Sequence, residues 1–405
     1  MTDVDALLPL VRSAVDARLE HVLGELRARW HDPSGAADDL FDAAATAVSG
    51  GKRMRAVLGA VGLALLTQDG AASGDRGRGG CRSGNRDESR PEPPRREDVL
   101  TGSTAAYLGA ALELYQASAL VHDDVIDAAD TRRGLPSAHR RFAARHLENG
   151  WRGAAENYGV SAAILLGDLL MSAAASEMGA AAAACGPCAG RAGRDAFDAM
   201  TTEVAVGQFL DVHHEVLPLP APTAQPVQAG AAMHRAALAV VRHKSARYSV
   251  MYPLLVGALL AGVDPHSELF RVLEVFGEEI GIAFQLRDDV LGVFGDPSLT
   301  GKPAGDDLRE GKRTVLLALT WQRCSDADRA LLTRVLSRGH AAADEDIAAA
   351  TEVIRDCGAL TAHEEEIASH TAAGLGALAA SPATLNDVAR QSLTALAEVL
   401  TSRRS

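Results

Sequence analysis

The dominant pattern along the chain is a recurrence of apolar residues every three or four positions. Ala105, Leu108, Leu112, Tyr115 and Ala119 form one such series, and residues spaced this way share one face of an α-helix. Comparable series fill most of the sequence, with Ala and Leu dominant and β-branched runs rare. No segment alternates apolar and polar residues as a half-buried strand does. No strand–helix–strand rhythm and no internal repeat is visible. The pattern predicts an all-α fold.

Three stretches interrupt it. Residues 68–98 are rich in Gly, Arg and Pro with almost no apolar side chains. Such a segment buries too little surface to offset its ordering entropy, so it is expected to be a disordered insertion between two helices. Gly179–Gly193 and Leu217–Gln228 read as helix connections. None of the three separates compositionally different halves, so 1–405 is expected to form a single domain carrying an insertion.

Charge narrows the function. The 53 Asp and Glu against 40 Lys and Arg give a net charge of -13. That balance speaks against a nucleic-acid binder, which shows a basic face, and against a protein of anionic membrane surfaces. The longest clean apolar run, Met251–Val263, falls short of the ~20 residues of a spanning helix. The N-terminal residues are acidic and amphipathic rather than basic and then apolar. No membrane span and a cytoplasmic location are expected.

Candidate chemistry lies in two carboxylate clusters set in apolar helical sequence. In the first, Asp123, Asp124 and Asp127 are three and four residues apart, so they project from one helix face. Like charges so placed repel, and their hard oxygens suit Mg²⁺, which completes its shell with water and substrate phosphate. The second cluster, Asp288 and Asp289, follows the apolar run Val275–Leu286. Opposed across a cavity, two such clusters would form a multi-metal clamp on a diphosphate. Basic residues accompany them: Lys52 and Arg55 after Gly50 and Gly51, Arg132 and Arg133 after the first cluster, Lys244 within a helix, and Lys302 and Lys312 after the second. Lys and Arg are the side chains that bind phosphate oxygens.

These motifs, taken in order with Glu113–Ser118, Gly207–Gln208, Lys244–Ser245 and Phe284–Asp289, resemble those of the trans-isoprenyl diphosphate synthases, or polyprenyl synthetases, over roughly residues 40–320. Within that family the resemblance is greatest to geranylgeranyl diphosphate synthases. It implies helices around a deep central cavity, a homodimer, and condensation of isopentenyl diphosphate with an allylic diphosphate (dimethylallyl, geranyl or farnesyl). It also implies roughly two to three Mg²⁺ ions per active site. Carried over by position, Asp123, Asp127 and Asp288 become metal ligands, with Asp124 and Asp289 supporting them. Lys52, Arg55, Gln116 and Arg133 become the isopentenyl diphosphate clamp. Arg132, Lys244, Gln285, Lys302 and Lys312 fall to the allylic diphosphate, and Gln208 and Ser245 line the reacting region.

One position departs from the family pattern. Gly292 stands where many relatives carry a third Asp in the second cluster, so some metal support is either lost or supplied through water or by Asp296 or Asp307. The departure also loosely resembles a motif of class I terpene cyclases. A cyclase binds one diphosphate and has no use for Lys52, Arg55 and Arg133. A non-catalytic partner subunit would typically have lost one of the sets kept here. The resemblance implies that the growing chain runs beside the helix before Asp123, where a large aromatic close to the aspartates would stop it near C15. Ser118 and Ala119 are small, and the first bulky group on that face is Tyr115. Three residues add ~4.5 Å of depth, about one isoprene unit, which points to geranylgeranyl diphosphate.

Overall fold

The computed structural model describes residues 3–67, 95–295, 305–382 and 384–402. The helices are α1 (Asp3–Arg29), α2 (Asp38–Val48), α3 (Met54–Leu63), α4 (Arg96–Leu100), α5 (Ser103–Ile126), α6 (Ala138–Glu148), α7 (Ala155–Ala183), α8 (Pro187–Val216), α9 (Pro226–Val240), α10 (Tyr252–Leu260), α11 (Glu268–Phe294), α12 (Asp306–Arg309), α13 (Val315–Arg323), α14 (Asp326–Arg338), α15 (Asp344–Asp356), α16 (Ala359–Ala380) and α17 (Asp387–Thr401). Among the described residues the only strands are β1 (Thr131–Arg132) and β2 (Leu135–Pro136), paired antiparallel as a two-stranded hairpin. The fold is all-α, as the spacing predicts. The chain divides into two compact units.

The first unit comprises residues up to Phe197, Pro253–Arg271 and Ser381–Ala395. Its centre is α5, which packs against α1, α3 and α7. The predicted face is the buried one: Leu108 and Leu112 are fully enclosed, and Ala105 and Tyr115 nearly so. Each enclosed leucine contributes ~1.5–3 kcal/mol relative to exposure. Ion pairs tie the layers together. Arg18 on α1 grips the buried Glu177 of α7 with two parallel hydrogen bonds of 2.7 Å, and its guanidinium lies over the Tyr107 ring of α5.

Three expectations need correction in this unit. Residues 68–94 of the supposed insertion lie outside the described residues, but its last three residues are helical. They open α4, where Arg96 is buried and donates to Ser392 Oγ at 2.8 Å. Gly179–Gly193 is mostly helix, because alanine, the strongest helix former, outweighs its glycines. Finally, α7 is long and apolar enough by length and composition to cross a membrane, although only 39% of its most apolar window is buried. Its hydrophobicity is diluted among small Ala and Gly residues, so the sequence shows no conspicuous run. Here it is the helix on which α5 and α6 pack.

The second unit comprises Asp198–Tyr252, Val272–Ala380 and residues from Leu396 on. Its core gathers Ile282, Leu286, Leu316, Leu332 and Ile347 around the fully buried Trp321. α13 packs against α9 and α16. α9 continues into a wide-turned π-helical stretch, Val241–Met251. Such stretches recur at functional sites because the extra residue per turn re-aims the side chains.

Candidate active site

In the first unit the last turn of α5 carries Asp123 and Asp124, and Asp127 caps its C-terminus. The hairpin follows at once. Its central residues, Arg133 and Gly134, both have positive φ, 54° and 75°, as a type I′ turn requires. The tight reversal carries Arg132 back over the aspartates. Its Nε donates to Asp124 Oδ1 at 2.8 Å and its guanidinium reaches Asp123 Oδ2 at 3.3 Å. Arg132, expected on the allylic diphosphate, is thus engaged with the first carboxylate cluster, since one hairpin brings a planar fork and two carboxylates together.

The Gly50–Arg55 motif splits in two. Arg53, not singled out by the sequence, is buried and left-handed at φ 54°. It donates to Asp16 at 2.9 Å, Glu113 at 3.3 Å and the Val48 carbonyl at 2.7 Å. It is a structural anchor between α1, α3 and α5. Lys52 is exposed and Arg55 partly so. Arg133 donates to the Ser49 carbonyl at 2.8 Å, which brings the hairpin to this loop. Desolvation lowers the Arg133 guanidinium from its ordinary range, and the positive charges of Arg132, Arg53 and Arg55 push the same way. A group of cations that raise one another's energy is one that an anion stabilises. Gln116 is half-buried on α5.

In the second unit the π-helical stretch presents Lys244 and Ser245. Lys244 Nζ pairs with Asp211 Oδ2 of α8 at 2.5 Å. Ser245 Oγ donates to Gln285 Oε1, and Gln285 Nε2 donates to Asp289 Oδ1 at 2.9 Å. Three expected site residues therefore form one hydrogen-bonded chain. Gly207 lets α8 approach: a Cβ there would lie 2.3 Å from the Lys244 backbone nitrogen. Gln208, next to it, is half-buried. Below this crossing Glu203 accepts from His243, Arg247 and Tyr252 at 2.7–2.9 Å. Burial works against its charge, but these hydrogen bonds outweigh it and hold the carboxyl below its ordinary range. Lys312 pairs with Glu310 and, at 3.9 Å, with Asp307. Lys302 and Asp296 lie outside the described residues.

Among the described residues no three His, Cys, Asp or Glu groups converge as a ready-made metal site. Mg²⁺ binds through one or two carboxylates plus substrate oxygens rather than an all-protein cage. The donor set fits such an ion. Asp289 is 5% exposed and its Oδ2 has no hydrogen-bond partner. Burial, followed by the charge of Asp307 and then of Asp288, raises its pKa well above the carboxylate range. A nearby cation is what such a carboxylate requires to ionise.

Of the expected chain-length residues, Tyr115 is buried edge-on against Phe197, ring centroids 6.1 Å apart. Ser118 differs from expectation. It is 1% exposed and donates to the Gly167 carbonyl of α7 at 2.7 Å, so its small size serves helix packing. Ala119 is partly exposed. The sequence reading passed over Asp211 and Glu203. Both lie on the helix face of Gly207–Gln208, four residues to either side of Gly207, and that spacing was the available signal.

The helical fold with paired acidic and basic clusters matches a known class. A family model described as polyprenyl synthetase matches residues 38–354, and the chain belongs to that family. A geranylgeranyl diphosphate synthase of Mycobacterium tuberculosis is 34% identical over 275 residues, covering 62% of this chain and 69% of the relative. One from Sulfolobus acidocaldarius is 29% identical over 254 residues, covering 62% of this chain and 66% of the relative, just under two thirds of its length. Among solved structures, the geranylgeranyl pyrophosphate synthase of Corynebacterium glutamicum, complexed with isoprenyl diphosphate and magnesium, superposes with TM-score 0.77 at 36% identity, covering 99% of this chain and 100% of that one.

Proposed function

We propose that the chain is a trans-prenyltransferase that condenses isopentenyl diphosphate with an allylic diphosphate and releases geranylgeranyl diphosphate. The observation that carries this reading is the hairpin that sets Arg132 on the first carboxylate cluster, by a 2.8 Å hydrogen bond to Asp124, and Arg133 against the Ser49 carbonyl, 2.8 Å away, beside the loop of Lys52 and Arg55. A protein that grips one diphosphate needs only the metal-holding carboxylates. One that joins two needs a second anion site. Asp123, Asp127 and Asp288 would hold Mg²⁺, two to three ions in all by the family resemblance, with Asp124 and Asp289 supporting.

Mg²⁺ held by these carboxylates would supply positive charge to the leaving diphosphate and so would ease ionisation of the allylic C–O bond. Lys244 and Gln285 bind the same diphosphate, each already oriented, by Asp211 and by Ser245 respectively. Lys52, Arg55, Gln116 and Arg133 bind the second diphosphate. The apolar face of α5 gives the allylic cation a dry wall that excludes water. The departed diphosphate takes the proton, so no side-chain base is needed.

The chain acts as one synthase domain, in the cytoplasm, as a homodimer. Support for the dimer comes from α7, whose Tyr158, Ile164, Leu165 and Met171 are 36–61% exposed. They fall at heptad spacing in two pairs, a face that a second copy would cover. The deciding experiment is incubation with isopentenyl and allylic diphosphates and Mg²⁺. A lengthened prenyl diphosphate supports the reading, a hydrocarbon would indicate a cyclase, and silence a subunit that needs a partner.

A further inference from the structure

The stretch Val241–Met251 winds as a π-helix over 11 residues, more than the single turn such windings usually reach. A winding this uncommon needs contacts that favour it over an α-helix. Carboxylates on two helices packed against the stretch supply them. Glu203 of α8 accepts from His243 Nδ1 at 2.7 Å, from Arg247 Nη1 at 2.9 Å and from the Tyr252 hydroxyl at 2.7 Å. Glu278 of α11 accepts from Arg242 Nε at 2.8 Å and Arg247 Nε at 2.7 Å. Both helices lie close. A Cβ at Gly281 of α11 would stand 2.2 Å from the Ala246 carbonyl oxygen, as one at Gly207 of α8 would stand 2.3 Å from the Lys244 nitrogen.

The spacing of these donors distinguishes the two windings. A π-helix hydrogen-bonds five residues apart, so positions four and five apart stack on one face. His243, Arg247 and Tyr252 follow one another at four and five residues, and Arg242 and Arg247 at five. On an α-helix of about 3.6 residues per turn, the step from His243 to Tyr252 would make about two and a half turns and leave the pair on opposite faces. One carboxylate could not then hold both. Lys244 and Ser245 follow His243 directly and reach to either side: Lys244 to Asp211 of α8, Ser245 to Gln285 of α11. The winding fixed at His243 therefore fixes the direction of both. We infer that Glu203 is a positioning residue for prenyl transfer: by holding residues 241–251 in the π-helical winding, it aims Lys244 and Ser245 at the allylic diphosphate.

The inference rests on the reading of Lys244 as an allylic diphosphate ligand, and the test separates the two. Steady-state kinetics on the full chain with Mg²⁺ vary each diphosphate in turn, with thermal melts confirming that each variant folds. Glu203→Gln keeps the volume and removes the charge. It should raise the KM for the allylic diphosphate ~10-fold, within the roughly 100-fold that a misplacement of about 1 Å can cost. The KM for isopentenyl diphosphate, the substrate assigned to Lys52, Arg55 and Arg133, should stay within about twofold. Tyr252→Phe removes one hydroxyl from the same carboxylate and should shift the allylic KM in the same direction, by less; it decides the matter should Glu203→Gln fail to fold. The double variant should match Glu203→Gln, because both changes break the same contact. A lowered melting temperature with both constants unchanged, or both raised alike, is what a merely structural role would give and overturns the inference. So does a double variant whose losses multiply. Lys244→Ala is the reference. If it leaves the allylic KM unchanged, the reading of Lys244 has failed, and the inference falls with it.

Discussion

At the scale of single residues, the site shows which parts of a motif are chemistry and which are architecture. Arg53 and Arg55 are separated by one position, yet Arg53 is enclosed by Asp16, Glu113 and a carbonyl. Arg53→Ala leaves the Glu113 carboxylate buried and uncompensated, so it should cost ~3–5 kcal/mol in urea unfolding. A second prediction concerns product length. Tyr115→Ala removes a buried ring and should lengthen the product. Ala119→Phe fills a partly open position and should shorten it. Ser118 is the poorer site for that test, because its hydroxyl already binds α7. Chromatography of the dephosphorylated prenols reads both, and an unchanged product in both would show that α5 does not set the length. The aspartate clusters were legible in the sequence because helical spacing makes them conspicuous. The division of labour between Arg53 and Arg55 was not, since it depends on which side of a left-handed turn each falls.

At the scale of elements, α11 is held in place by the helix packed on it. His363 of α16 is fully buried, and its Nε2–H donates to the Leu286 carbonyl at 2.8 Å, two residues before Asp288. Burial lowers its pKa from the ordinary 6.5. In the unfolded chain the same group takes a proton near 6.5, so below that pH the unfolded state binds a proton that the folded state resists. Stability should therefore fall as pH drops below about 6.5, by at most ~1.4 kcal/mol per pH unit from this group. The measurement is the difference in unfolding free energy between wild type and His363→Gln across pH 5–8. A pH-independent difference would exclude the imidazole as the cause. Helix existence was readable from periodicity almost throughout. The π-helical stretch at Val241–Met251 was not, because over a few turns its apolar spacing is hard to tell from that of an α-helix. The hairpin at Thr131–Pro136 was equally hidden, since two-residue strands leave no alternating pattern.

At the scale of the whole molecule, the exposed stripe on α7 bears on assembly. Leu165, 61% exposed, is the most open of its large apolar side chains. Leu165→Glu puts a charge where a second copy would pack and should convert the dimer to a monomer in analytical ultracentrifugation. A variant that sediments as the wild type does would place the contact elsewhere. The stripe went unread in the sequence because the expected test was one long apolar run, and α7 spreads its apolar residues around the helix.

That same helix has a consequence for how the protein is made. Two of the helices packed on it, α5 and α6, precede it in the chain, and α8, whose Arg194 donates to the Ala175 carbonyl, follows it. As the polypeptide leaves the ribosome α5 and α6 emerge first, so an apolar surface is already waiting when residues 155–183 appear. A gene rearranged to translate α7 ahead of them would encode the same contacts and lose that shelter. Synthesis from the N-terminus thus gives residues 155–183 two of their apolar partners before the rest of the chain is made.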